Sequence, residues 1–125
     1  MEVDLHVTPD KYLPHRYAGA SGDFNPIHID PEFAQSVGLP RNILHGLYTM
    51  AQVARANVNA AGGDPRSLKR LSVQFRGMGF PEQEITVTGA VKEESDGRVV
   101  VDTVAEQSGN QIVRNAEAEI DPGFP

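Results

Sequence analysis

The segment from Ile43 to Ala61 constrains the fold of this chain more than any other. Apolar residues cover most of its circumference when it is drawn as a helix, and two glycines follow it. Its polar residues recur every three or four positions as one narrow stripe: His45, Thr49, Gln52, Arg55 and Asn59. A helix that is apolar on most sides must be surrounded by other parts of the protein. In a chain of 125 residues, we expect a curved β-sheet to surround it.

Four later segments supply strands for that sheet. In each, apolar residues recur at every second position, as in a strand with one buried face. The apolar members are Leu71, Val73 and Phe75, then Ile85 and Val87, then Val99 and Val101, and finally Ala116, Ala118 and Ile120. Asp96-Gly97 and Ser108-Gly109-Asn110 separate the last three runs and are typical of hairpin turns. The pattern predicts an α+β fold, with a curved antiparallel sheet around one long central helix, in a single domain over residues 1–125.

The first forty residues predict one more strand and two short helices. Residues 3–7 alternate and indicate a strand. A threonine and a proline at positions 8 and 9 are typical of a helix start. We expect that helix to reach about residue 20 and to be kinked or shortened by Pro14. A second short helix should begin at Pro31 and end at Gly38.

Composition excludes several classes of protein. The chain has no cysteine, which rules out disulfides, thiolate metal sites and a cysteine nucleophile. A formal charge of −6 is an unusual footprint for a nucleic-acid-binding protein, so we expect no nucleic-acid partner. We also expect no membrane partner and a cytoplasmic location, because no apolar run is long enough to span a bilayer and no signal-peptide pattern begins the chain.

The residues best suited to chemistry lie in the loop predicted between the two short helices, at Ser21-Gly22-Asp23-Phe24-Asn25-Pro26-Ile27-His28. Gly22 and Pro26 oppose helix formation and make a stiff loop. Such a loop suits paired acid–base chemistry by Asp23 and His28, which requires both groups within hydrogen-bond reach of one atom. The alternative is structural, with Asp23 capping a turn and His28 serving as an ordinary loop histidine.

A second candidate lies where the long helix begins, at Ile43-Leu44-His45-Gly46. The first turn of a helix has unpaired N–H groups and partial positive charge, which suit a developing oxyanion. Gly46 would let a ligand approach the backbone closely, or would only permit close packing between helix and sheet. His45 begins the polar stripe, so an exposed or capping role is open beside a chemical one.

Basic residues concentrate in one stretch, with Arg66, Lys69, Arg70 and Arg76. They could bind phosphates or form a solvated surface. Other kinds of site are disfavoured: the chain has no glycine-rich nucleotide loop and no Gly-x-Ser-x-Gly motif. A metal site from Asp23, His28, Asp30 and His45 is conceivable, but no two histidines have helical spacing, and we expect no metal.

Together these residues resemble the MaoC-like, or hydratase-2, family of (R)-specific enoyl-CoA hydratases, which have the hot-dog fold. The resemblance runs from about Val3 to Ile120. Its most specific part extends from Tyr17 to His28 and contains Gly-Asp-x-Asn-Pro-x-His. Ile43-Leu44-His45-Gly46 forms the second block, and residues 75–81 resemble a later strand and turn of the family.

The resemblance implies syn addition of water to a trans-2-enoyl thioester, giving an (R)-3-hydroxyacyl product. It implies that Asp23 and His28 hold the water, that the Gly46 N–H binds the thioester oxygen, and that Asn25, Ser21, Gly22 and His45 support the site. No cofactor is expected beyond the coenzyme A of the substrate, which the basic residues Arg66, Lys69, Arg70 and Arg76 would contact. How the two dyad residues divide the proton transfers stays open.

The expected partners are an acyl-CoA or acyl carrier protein thioester and a second hot-dog subunit, identical or different. Three alternatives to a self-sufficient hydratase remain: a subunit of a heteromeric hydratase, a hot-dog thioesterase, and an acyl-binding module without turnover. Fatty-acid, mycolate and steroid side-chain substrates are all compatible with the sequence.

Overall fold

The computed structural model describes residues 1–123. Five strands and four α-helices follow one another in the order β1 (Glu2–Val7), α1 (Leu13–Ser21), α2 (Pro26–Ile29), α3 (Pro31–Ser36), α4 (Gly46–Ala60), β2 (Leu68–Phe75), β3 (Ile85–Ser95), β4 (Arg98–Gln107) and β5 (Asn110–Ile120). A short 3₁₀ turn, Pro65–Ser67, precedes β2. The four α-helices therefore lie between β1 and the other four strands, which is the expected order of strand, helices and sheet.

The strands form a single antiparallel sheet in the order β1-β3-β4-β5-β2. Two tight turns join β3 to β4 and β4 to β5. Asp96 and Gly97 have φ of 52° and 77°, and Ser108 and Gly109 have 52° and 80°. Positive φ at both central residues matches the twist of the flanking strands. Both predicted hairpins are thus confirmed.

The sheet curves around α4, which contacts all five strands. Register shifts interrupt the β2–β5, β3–β4 and β4–β5 pairings, and Asn115 in β5 has a φ of 48°. Such bulges bend a strand and increase its twist. The core between helix and sheet contains Val53, Ala56, Ile85, Val87, Val101, Ala118 and Ile120. The predicted hot-dog arrangement, with one helix wrapped by an antiparallel sheet, is confirmed.

The long helix begins three residues later than the sequence suggested. Residues 43–45 are not helical, because the Ile43 N–H donates to the Ile27 carbonyl and the Leu44 N–H donates to the Gly79 carbonyl. These bonds to distant segments replace the first turn of helix. The strand-like entry places Gly46 at the first helical position.

The polar stripe does not match the exposed line of α4. The exposed residues at four-residue spacing are Leu47, Ala51, Arg55 and Asn59. His45, Thr49 and Gln52, which also belonged to the stripe, are buried. The half of the stripe nearest the helix start therefore faces the protein interior.

The first helix also begins later than expected. It runs from Leu13 with Pro14 in its first turn, where the missing N–H costs no hydrogen bond, so Pro14 neither kinks nor interrupts it. The stretch predicted as loop contains the one-turn helix α2, capped by Asn25. The helix at Pro31–Ser36 is confirmed, with the Asp30 carboxylate accepting from two backbone N–H groups at its start.

Candidate active site

The loop between α1 and α2 is shaped by a series of local hydrogen bonds. Ser21 Oγ accepts from the Asp23 N–H at 3.2 Å, Asp23 Oδ1 from the Asn25 N–H at 3.2 Å, and Asn25 Oδ1 from the Ile27 N–H at 3.1 Å. Gly22 ends α1 with a φ of 81°, a left-handed conformation that suits glycine. The carboxylate of Asp23 therefore caps a turn with one oxygen and keeps the other, Oδ2, free of these local bonds.

His28 lies on α2 with its ring almost fully buried, and a hydrogen bond at Nδ1 fixes the orientation of the ring. Its Nδ1 lies 2.9 Å from the Ile43 carbonyl oxygen, which can only accept. The proton of a neutral ring is therefore on Nδ1, and Nε2 carries a lone pair. The buried Asn42 side chain adds a 2.9 Å hydrogen bond from Nδ2 to the His28 carbonyl.

The two groups face each other: His28 Nε2 lies 3.8 Å from Asp23 Oδ2. That separation is too long for a direct hydrogen bond, and it leaves room for one oxygen atom at about 2.8 Å from both. The Asp23 side chain is 54% exposed and that of His28 only 11% exposed, so the pair is open to solvent from the carboxylate side. The arrangement suits the binding and deprotonation of a water molecule.

Gly46 lies beside this pair as the first residue of α4. Its N–H points out of the helix end, where helical geometry offers no partner. A Cβ at Gly46 would lie 3.3 Å from Cε1 of Phe75, so the absent side chain also allows this ring to pack there. Both interpretations of the glycine made from the sequence therefore have a physical basis.

Two small cavities meet at Gly46 and Phe75, which line both. One, about 300 Å³, is lined by Tyr17, Ser21, Asp23, His45, Gly46, Leu47 and Phe75. The other, about 170 Å³, is lined by His28, Ile43, Leu44, Gly46, Thr49, Phe75, Gly77, Met78 and Gly79. Asp23 thus lines one cavity and His28 the other, and Gly46 at the helix N-terminus lines both. A larger groove of about 610 Å³ crosses β3, β4 and β5 and includes none of the predicted site residues.

His45 is buried rather than exposed, and its side chain makes no capping bond. Its Nε2–H donates to the Asp23 carbonyl at 3.0 Å, and its ring stacks on His28 with ring centres 4.0 Å apart. Burial lowers the pKa of His45, with a smaller contribution from nearby His28, so the ring is neutral at pH 7. The sequence suggested neither contact.

Asp23, His28 and His45 are also the residues that could ligate a metal, since one donor atom from each lies within 4.8 Å of the others. Asp23 Oδ2 and His28 Nε2 have lone pairs available to an ion. His45 Nε2 carries the proton that it donates to the Asp23 carbonyl. His45 would therefore have to shift this proton before Nε2 could coordinate an ion.

The four basic residues are not gathered in one place. Arg66 forms a two-atom ion pair with Asp64 before β2, whereas Arg76 follows the far end of that strand, beside Phe75 and Gly77 of the cavities. The eight residues of the strand separate these ends by roughly 23 Å. Of the four, only Arg76 is adjacent in sequence to cavity residues.

Three residues of the site escaped the sequence analysis as site residues. Asn42 donates to the His28 carbonyl, Phe75 lines both cavities, and Tyr17 packs on His45 with ring centres 4.7 Å apart. The sequence places Tyr17 in the block that resembles the family, and Phe75 in a predicted strand and in the later block of that resemblance. Asn42 had no signal of its own, because its importance depends on contact with residues fourteen positions away.

Comparisons with known proteins agree on one family. The model of the MaoC-like domain matches residues 1–113. The chain is 35% identical over 115 residues to the enoyl-CoA hydratase ChsH3 of Mycobacterium tuberculosis, covering 90% of this chain and 38% of that protein. It is 44% identical over 66 residues to the peroxisomal enoyl-CoA hydratase 2 of Arabidopsis thaliana, covering 52% and 21%. The chain therefore spans well under half the length of these curated relatives.

Solved structures agree on the fold. A MaoC-like dehydratase superposes with a TM-score of 0.88 at 30% identity, over 96% of this chain and 39% of that one. The (R)-hydratase of A. caviae gives 0.87 at 22% identity, over 97% and 93%. The ChsH1–ChsH2 complex of Mycobacterium tuberculosis gives 0.86 at 22% identity, over 97% and 94%. Because the last two structures are only 22% identical to this chain, they support its fold alone. Among residues 1–123, no helix is both long and apolar enough to cross a membrane.

Proposed function

The chain belongs to the MaoC-like dehydratase family, and from this premise we propose that it is a hydro-lyase acting on enoyl thioesters. The proposed reaction adds water to a trans-2-enoyl thioester and gives the (R)-3-hydroxyacyl thioester, with dehydration as its reverse. Relatives named enoyl-CoA hydratases support the substrate class. That residues 1–125 form a single domain stays a prediction.

One observation carries the proposal: the Asp23–His28 pair lies beside the free N–H at the start of α4. Hydration of a conjugated thioester requires a base near the β-carbon and a hydrogen-bond donor at the thioester oxygen, where enolate charge develops. The 3.8 Å gap between Asp23 Oδ2 and His28 Nε2 suits the water. Gly46 at the helix N-terminus suits the oxygen, because the helix dipole adds to its N–H.

The proton balance of the proposed reaction is simple. The water oxygen forms a bond to Cβ while one of its protons passes to the dyad, and electrons move onto the thioester oxygen at the Gly46 N–H. The dyad then delivers one proton to Cα as the carbonyl reforms, so that Asp23 and His28 end in their starting states. The lone pair on Nε2 of neutral His28 and the carboxylate of Asp23 are both able to accept the proton, and their division of roles stays open.

The reaction as proposed needs no cofactor or metal beyond a thioester carrier such as coenzyme A. Arg76 is the basic residue best placed for a carrier phosphate, because it directly follows Phe75 at the cavities. We propose a second hot-dog subunit, identical or different, as partner; the same fold occurs in a two-protein assembly, the ChsH1–ChsH2 complex.

The test is incubation of the purified chain with crotonyl-CoA and with longer and bulkier enoyl-CoAs, following loss of the conjugated thioester absorbance. Chiral analysis of the product checks the (R) configuration, and a free-thiol assay detects thioesterase activity. We expect hydration without thiol release, and Asp23→Asn serves as the inactive control. Thiol release with no 3-hydroxyacyl product would instead identify a thioesterase.

A folded sample without turnover distinguishes the remaining two alternatives. Activity that appears only with a second hot-dog chain would identify a heteromeric subunit. Binding of a 3-hydroxyacyl-CoA that persists in Asp23→Asn, with no turnover under any condition, would identify an acyl-binding module.

A further inference from the structure

The side chain of His45 is polar and buried, and only one of its two ring nitrogens has a hydrogen-bond partner. It is 2% exposed, and Nδ1 has no hydrogen-bond partner among residues 1–123. Burying an imidazole with one nitrogen unpartnered is unfavourable, and an apolar residue would fill the same space without that cost. The other nitrogen, Nε2, makes the hydrogen bond to the Asp23 carbonyl. That contact is the most direct account of why a histidine is here.

This contact joins the loop that carries Asp23 to the residue just before α4. The hydrogen bonds of Ser21, Asp23 and Asn25 side chains all reach a residue two positions further along, so they shape the loop without locating it against other elements. Residues 21–26 are all exposed. The bond from His45 to the Asp23 carbonyl joins residues 22 positions apart. Among the described residues, it is the hydrogen bond that links Asp23 to a distant part of the chain.

His45 also contacts the other two parts of the site. Its ring stacks on His28 with planes 23° apart, and its peptide bond leads directly to the N–H of Gly46. The side chain of His45 therefore contacts the carboxylate loop and the imidazole, and its backbone leads into the helix N-terminus.

We propose, on the basis of the proposed function, that His45 is a positioning residue. It keeps the Asp23 carboxylate at the correct position relative to His28 and Gly46. Nε2–H fixes the backbone of Asp23, and the ring face fixes the plane of His28. The neutral ring donates from Nε2, and Nδ1 has no hydrogen-bond partner among residues 1–123. A loop displaced by about 1 Å would cost on the order of 10²-fold in rate without removing any substrate contact.

Two substitutions separate the donor from the ring. His45→Phe keeps an aromatic ring against His28 and removes the N–H, whereas His45→Gln keeps an N–H at a similar reach and removes the ring. We expect kcat to fall about 10²-fold in His45→Phe with KM within about threefold of wild type, and we expect His45→Gln to recover about tenfold of the loss. The same substitutions at His15, an exposed histidine of α1, serve as matched controls.

A purely structural role would lower the thermal stability of both variants without this ordering of kcat. Equal kcat in His45→Phe and wild type, or a His45→Gln variant no better than His45→Phe, would overturn the proposal.

A second measurement does not depend on activity or on the variants folding. In the wild-type chain labelled with ¹⁵N and ¹³C, NMR of the imidazoles should show His45 as the Nε2–H tautomer with a slowly exchanging proton coupled to the Asp23 carbonyl. An Nδ1–H tautomer, or a rapidly exchanging Nε2 proton, would overturn the proposal. If the wild-type chain hydrates no enoyl thioester, the proposed function fails, and this spectrum still decides whether His45 holds the loop.

Discussion

Replacing Gly46 by proline tests the oxyanion site by removing one N–H and little else. Proline is favoured at the first position of a helix, where its missing N–H costs no helical hydrogen bond. The preceding residue must be extended, and His45 already has φ −64° and ψ 134°. The new Cβ would meet Phe75 at 3.3 Å, but this ring is 54% exposed and is free to move by the few tenths of an ångström required.

Gly46→Ala is the matched control, because it introduces the same Cβ and retains the N–H. Deleting one oxyanion donor typically lowers kcat by about 10²–10³-fold, or ~2.7–4 kcal/mol. We therefore expect Gly46→Pro to turn over enoyl-CoA about 10²–10³-fold more slowly than Gly46→Ala. The assay is loss of enoyl-thioester absorbance at saturating substrate, with urea unfolding to compare the two stabilities. Equal kcat in two folded variants would refute the role given to the Gly46 N–H.

Three further predictions concern the scaffold. Ile85→Ala, at a side chain with 0% exposure, should lower the free energy of unfolding by about 2–5 kcal/mol; an unchanged urea midpoint would contradict the core assignment. Gly97→Ala should destabilise by about 1–2 kcal/mol, because a φ of 77° is left-handed, and thermal unfolding with no shift would argue against the turn. The Arg66 guanidinium holds the pKa of Asp64 at about 2, below its ordinary 3.8, so its stabilisation is complete above pH 3.8 and is lost as the pH falls towards 2. Asp64→Asn should therefore flatten the pH dependence of Tm in that window, and an unaltered slope would count against the ion pair.

The sheet and its hairpins could be predicted because their signals are local. Alternation reports the buried face of a strand, and Asp96-Gly97 and Ser108-Gly109 supply the positive φ that tight hairpins require. The buried helix was predictable from its apolar circumference alone. Its start was misplaced by three residues, because Ile43 and Leu44 give their N–H groups to Ile27 and Gly79, and no local pattern encodes such distant acceptors.

The candidate site also contains some residues that local sequence signals predict and others that depend on distant contacts. Asp23 and His28 are five positions apart on a stiff loop, so their proximity was visible in the sequence, and the structure brings them to 3.8 Å. The resemblance implied that His45 supports the site, but its contacts with Asp23 and His28 join separate elements and have no local signal. The same holds for Asn42, which was not foreseen as a site residue. The basic residues show the converse, since closeness in sequence along a strand leaves Arg66 and Arg76 far apart in space.

The most direct test of the account is the turnover of Asp23→Asn and His28→Gln with the best enoyl-CoA substrate of the wild-type chain. Both substitutions preserve shape and remove a group able to exchange a proton. The account predicts that each lowers kcat by at least about 10²-fold, and that the double variant is scarcely slower than either single one, because the two residues act on one water. Near-wild-type kcat in either folded variant would contradict the claim that this pair performs the hydration.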